Sequence, residues 1–254
     1  MKPNNVISKT LRTCAMGLCG LAAPLSGMAA EPGWPEPVED RQIFSMVLVD
    51  QLEYRGNQGT DTLEWDAQAW IGGDYNRLWL RTEGADQLSG DSGGEWEAQA
   101  LYSRLVAPFW DFQAGLRYDR LYGAQDHERG FAVIGFEGLA PYWFEVTPAL
   151  FISQDGDLSA RLKASYELLF TQRLILQPSL EINAAAQKVE EFGVGSGIND
   201  IELGLRLRYE IKREFAPYIG VSWTNKFGGT ADMARSEGER TEDFAVVAGL
   251  RFWF

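Results

Sequence analysis

The chain runs to 254 residues and carries a formal net charge of −13. An acidic balance of that size argues against nucleic acid as a partner and favours cations, or a surface that cations bridge. The length fits one domain, and the absence of any run of about 20 apolar residues excludes a helical membrane span.

Residues 1–30 read as a targeting signal. Lys2, Lys9 and Arg12 supply positive charge, no Asp or Glu precedes Glu31, and 14–25 is a short apolar core. A core of that length suits export and is too short to cross a bilayer as a helix. Gly27, Ala29 and Ala30 place cleavage near Ala30. The alternatives are a retained N-terminal anchor and a lipoprotein. The second needs a small residue before its cysteine, where Leu18 precedes Cys19. Both cysteines, Cys14 and Cys19, fall inside the signal, so the mature chain is expected to have no disulfide, thiolate ligand or cysteine nucleophile. Cleavage removes three cations and no anion, taking the balance from −13 to −16.

A short segment at 31–42, with three prolines and several acids, is expected in the periplasm. From there on, alternating apolar and polar residues predict about twelve strands. They run roughly over 43–56, 62–73, 76–87, 95–106, 109–122, 130–138, 142–153, 157–170, 173–188, 200–213, 215–226 and 243–254. The connections alternate in kind. Those at 56–61, 88–94, 123–129, 154–156, 189–199 and 227–242 are polar and flexible, and those at 74–75, 107–108, 139–141, 171–172 and 214 are tight. Long loops at one end, short turns at the other and an even strand count are the arrangement of a bacterial outer-membrane barrel. The expected fold is therefore all-β, an antiparallel transmembrane barrel over 43–254 with both termini periplasmic.

The faces agree with that fold. In the last strand Phe244, Val246, Ala248, Leu250, Phe252 and Phe254 make one apolar set, and Ala245, Val247, Gly249, Arg251 and Trp253 make a mixed one. Leu203, Leu205 and Leu207 likewise alternate with Gly204, Arg206 and Arg208. A soluble sandwich also alternates. Aromatics near strand ends (Trp65, Trp79, Trp110, Tyr142, Trp223, Phe252, Phe254) favour interfacial girdles, and so lipid on the apolar side.

Charged residues of the other face then line the lumen. The acids are Glu53, Glu64, Asp66, Glu83, Glu95, Glu97, Asp111, Asp119, Glu145, Glu167, Glu181, Glu202 and Glu210; the cations are Arg77, Arg81, Arg117, Arg161, Lys163, Arg173, Arg206, Arg208 and Arg251. Paired charges can simply fill a narrow bore. Unpaired carboxylates would instead lower the barrier for a positive ion. Softer metal ligands are few: Met46, Met233 beside Asp232 in the longest loop, and His127 in the loop at 123–129. Met46 alternates with Phe44 and Leu48, which also suits a lipid-facing or core methionine. His127 with Ser89 or Ser92 is the one conceivable hydrolase pair, but no Gly-x-Ser-x-Gly elbow accompanies it. The candidate metal ligands are Met46, Glu53, Asp66, His127, Asp232 and Met233.

Several stretches resemble a known family: LEWDAQAWIGGDYNRLWLRTEG (63–84), QALYSRLVAPFWDFQAGLRYD (99–119), GLAPYWFEV (138–146), YELLFTQRLILQPSLEINA (166–184), GSGINDIELGLRLRYEIKREFAPYIGVSW (195–223), KFGGTADMAR (226–235) and RFWF (251–254). Together they resemble the copper resistance protein B family. The lone histidine and missing elbow make an enzyme unexpected; the resemblance implies an outer-membrane barrel that binds copper ions in bacterial copper homeostasis, with a periplasmic multicopper oxidase as a family-level partner. Family members often carry a Met- and His-rich N-terminal segment, whereas 31–42 contains neither residue. The alternative function is a general small-solute porin or a purely structural barrel.

Overall fold

A computed structural model describes residues 42–88, 93–123 and 126–254. The expected signal at 1–30, nearly all of 31–42, and Ser89 and Ser92 lie outside the described residues. The strands are β1 (Phe44–Gly56), β2 (Thr62–Gly72), β3 (Asn76–Gln87), β4 (Gly94–Ala107), β5 (Trp110–Tyr122), β6 (His127–Ala140), β7 (Phe144–Ser153), β8 (Leu158–Ser165), β9 (Leu174–Ala185), β10 (Gly197–Tyr209), β11 (Phe215–Lys226) and β12 (Glu242–Trp253). The two-residue piece Leu168–Leu169 pairs with β9, as β8 does, and continues β8 after a break. Each strand pairs antiparallel with its neighbours in sequence, and β12 returns to β1, so the sheet closes as a twelve-stranded barrel.

Closure leaves no edge strand and satisfies the backbone within the sheet, which a bilayer demands of any spanning structure. At the seam, Val47 and Phe254 exchange both backbone hydrogen bonds, at 2.8 and 3.0 Å. The side-chain period of 2 does the rest. Val246 is 61 % exposed on the outside of β12, while its neighbour Val247 is 1 % exposed inside. Leu203 and Leu205 point outward, and Arg206 and Arg208 are buried inside.

Three local features depart from the plain alternation. β1 carries a bulge between Val49 and Gln51, which leaves Asp50 unpaired in the ladder and turns it inward to Arg251. His127 is not in a loop but begins β6, opposite Leu121. Trp79 does not join an outer girdle: it shares the inner face with Arg77, Arg81 and Glu83 and is 5 % exposed. The parity that turns those charges inward turns Trp79 inward too.

The long connection after β11 holds a helix, α1 (Gly228–Ser236), at the loop end of the barrel. Thr230 Oγ1 accepts from the Gly195 backbone N–H and from Asn199 Nδ2, both at 2.8 Å, pinning the helix to the preceding loop. A Cβ on Gly195 would fall 2.4 Å from the Thr230 backbone nitrogen, so only glycine permits this approach. At the turn end, Phe109, Tyr142 and Trp143 take positive φ in two tight connections.

Candidate functional site

The bore holds the chemistry, and its charges fall into distinct networks. Glu53 on β1 has no exposed surface and is the hub of the first. Arg55 Nε donates to it at 2.7 Å, Arg206 on β10 donates to both its oxygens at 2.8 and 2.9 Å, and the Tyr218 hydroxyl on β11 donates at 3.0 Å. Arg55 also reaches Glu64 at 2.8 Å and Glu202 at 2.9 Å. Buried ions persist only with such partners, because the charge has left water. Small residues make the space. A Cβ on Gly249 would lie 2.5 Å from the Tyr218 hydroxyl, so glycine is what lets the phenol reach Glu53.

The second network spans the barrel. Arg161 and Lys163 project from β8 and meet acids on the far wall. Arg161 binds Glu97 on β4 through two bonds of 3.1 and 3.0 Å and approaches Glu83 on β3 at 3.4 Å. Lys163 Nζ lies 2.5 Å from Glu83 and 3.3 Å from Asp66 on β2. On their own side both cations touch Glu181 of β9, at 3.3 and 3.8 Å. Arg117 on β5 joins the network through Glu97 at 2.6 Å and Asp119 at 2.5 Å.

The wall from β2 to β7 adds aromatic rings. Trp79, Leu101, Phe131, Val133 and Phe151 form a buried cluster with Trp70 packed against it. Arginines lie over it in series. Arg129 sits 3.7 Å from the Phe192 ring centre and 4.8 Å from Phe131, Arg117 is 4.6 Å from Phe151, and Arg81 is 5.1 Å from Trp79. A guanidinium on a ring face is attracted by the ring quadrupole and keeps its full charge.

Some bore acids have no cation at hand. Among the described residues Glu95 makes no hydrogen bond or ion pair, Glu145 accepts only from Ser165 at 3.3 Å, and Asp200 accepts only from Asn183 at 2.9 Å. At the mouth, the hydrogen bond from Lys188 and its charge hold the Glu190 carboxyl below the usual carboxylate range.

The six candidate ligands are spread along the barrel. Glu53 and Asp66 are near neighbours on β1 and β2, each already held by the cations described. Met46 pairs with Trp70 and so faces the bore at the turn end, not lipid. At the loop end, His127 packs 5.7 Å from the Phe192 ring. Asp232 pairs with Arg235 along α1 at 2.8 Å, and Met233 is next to it. Among the described residues no group of three or more His, Cys, Asp or Glu is set to hold a metal ion. The sequence reading leaves out Arg55, Arg129 and Glu137 of the bore, although Arg55 keeps the parity of Glu53, and Arg129 and Glu137 share theirs with the buried Phe131 and Val133. Asp50 had no such signal, because only the bulge turns it inward.

A closed antiparallel barrel with an apolar outer wall and an ionic bore defines an outer-membrane β-barrel protein. Solved barrels share its fold: the KdgM porin, at 11 % identity and a TM-score of 0.50 over 83 % of this chain and 99 % of that one, and the NanC porin, at 11 % and 0.53 over 81 % and 98 %. The family model for the copper resistance protein B precursor matches residues 43–254, so the chain belongs to the copper resistance protein B family. It is 46 % identical over 217 residues to copper resistance protein B of Escherichia coli, covering 85 % of this chain and 72 % of the relative. It is 42 % identical over the same length to the homolog from Pseudomonas syringae pv. tomato, again covering 85 % and 72 %. The protein resides in the outer membrane, where it meets lipid, and has a role in copper resistance.

Proposed function

We propose that the barrel binds copper ions in transit and passes them across the outer membrane through its ionic bore, without catalysing a covalent step. The observation that carries this reading is the set of bore acids lacking a cation, Glu95, Glu145 and Asp200. Carboxylate, carbonyl and imidazole oxygens and nitrogens suit Cu(II), and uncompensated carboxylates lower the barrier for a cation in a pore. His127, Asp232 and Met233 stand at the mouth as capture groups, Glu53 and Asp66 within the bore as transient contacts, and Met46 beside the periplasmic exit. Residues 1–30 are the export signal, 31–42 is a periplasmic lead-in, and a periplasmic multicopper oxidase is the partner that family membership suggests. In this chemistry copper is cargo and not a resident cofactor.

Equilibrium dialysis of the purified, detergent-folded barrel against Cu(II) tests the reading. Binding should be measurable for the native sequence and should fall severalfold in the triple variant Glu95→Gln, Glu145→Gln, Asp200→Asn. Equal binding by both removes the bore from the account. A purely structural barrel is the competing reading, favoured by the ion pairs that cross the bore, and it predicts negligible copper binding by either protein.

A further inference from the structure

Two cations on β8 reach across the bore. β8 stands across the ring from β2, β3 and β4. Even so, Lys163 is within 3.3 Å of Asp66 and 2.5 Å of Glu83, and Arg161 binds Glu97 at 3.1 and 3.0 Å. The same two side chains are tied to their own wall. Arg161 donates to Asn183 at 3.0 Å and lies 5.7 Å from the Phe151 ring centre, and both approach Glu181. The two walls are therefore in direct side-chain contact at this level of the bore.

We infer that Arg161 and Lys163 form a tethered cation bridge that closes the bore and sets the charge of what can pass it. The inference rests on the reading that ions move through the bore. The bridge holds on to Asp66, Glu83, Glu97 and Glu181, the carboxylates an entering cation would otherwise meet. An arriving ion must compete with an ammonium and a guanidinium for them. A doubly charged ion competes better than potassium, since pair attraction scales with the product of charges. The resting bore therefore shuts out small monovalent ions while still yielding to a divalent one. Anions face the remaining acids and are excluded whether the bridge is made or broken.

Planar-bilayer recordings in a potassium chloride gradient, with no copper present, test this separately from copper transport. The protein with its native sequence should conduct weakly. The double variant Arg161→Gln, Lys163→Gln should conduct severalfold more, with its reversal potential shifted toward the potassium equilibrium value. Lys163→Arg, which keeps the charge, should stay near the native conductance. If the double variant does not fold, Glu83→Gln serves in its place: it loosens the far anchor, and a rise in potassium conductance supports the bridge. A folded double variant conducting no more than the native protein overturns the inference, as does one that opens toward chloride. Failure of the copper reading alone would appear differently, as an opened potassium pathway in a barrel that takes up no copper.

Discussion

Along β2 to β7 the arginines of the bore lie on aromatic rings, whereas along β9 to β12 and β1 they lie among glycines, serines and carboxylates. On the aromatic wall, among the described residues, Arg77 has only a distant acid, Asp111 at 3.7 Å, and Arg129 only Asp119 at 4.0 Å. Buried Nε atoms with no hydrogen-bond partner among the described residues occur on both walls, at Arg81 and Arg129 here and at Arg208 on the other. On the other wall Glu53 accepts from Arg55, Arg206 and Tyr218 at once, and Gly204, Gly220 and Gly249 make the room. Rings attract a cation without neutralising it, while carboxylates cancel its charge. Arg81 and Arg117 are also paired, with Glu137 at 2.5 Å and with Glu97 and Asp119 at 2.6 and 2.5 Å, so on the first wall only Arg77 and Arg129 keep charge loosely compensated among the described residues, while the second wall locks its arginines into structure. Substitutions should cost more stability on the second wall than on the first.

The largest effect is expected at the hub. Among the described residues, Glu53→Ala leaves Arg206 with Gln51 and Ser179 as its hydrogen-bond partners. Breaking a buried pair of this kind should cost about 3–5 kcal/mol, read as a lower temperature in the heat-dependent gel shift. Next is a control on the same strand as Arg206. Leu205→Arg places a charge on the lipid face and should cost about 2–4 kcal/mol near mid-membrane, measured by urea unfolding in vesicles. A neutral outcome there would mean the outer and inner faces have been exchanged. On the aromatic wall, Phe151→Leu keeps apolar volume but removes the ring under Arg117 and Arg161. The loss should be about 0.5–2 kcal/mol, smaller than at Glu53, and a larger loss would erase the contrast between the walls. The smallest effect belongs outside both walls. Asp232→Ala breaks the exposed pair with Arg235 on α1, and should change stability by less than about 1 kcal/mol.

Most of the barrel is legible in the sequence because one simple rule, the period of 2, acts over every strand and is enforced by lipid on one side and water on the other. The strand limits of β3 and β11 follow directly from that pattern. It fails where the backbone breaks the period. The bulge beside Asp50 inverts the parity of β1 partway along, and nothing in the local residues announces it. The break in β8 at Tyr166 and Glu167 is different: the pairing with β9 resumes in the same register, and Glu167 still reaches Arg208 in the bore at 2.6 Å. α1 was hidden because a nine-residue helix in a polar loop leaves no long apolar stripe. The chemistry of Trp79 suits a girdle, but its parity with Arg81 places it inside. As for the candidate site, parity finds which charges face the bore but not which pairs meet across it: Arg161 and Glu97 are 64 residues apart, and only closure of the ring brings them together.

Copper entry into vesicles containing the mature barrel measures passage through the bore directly. Copper should accumulate inside vesicles carrying the native sequence, and its initial rate should fall severalfold when Glu95, Glu145 and Asp200 are neutralised together. Equal rates for the two proteins, or no entry beyond empty vesicles for the native one, would contradict a copper route through the bore.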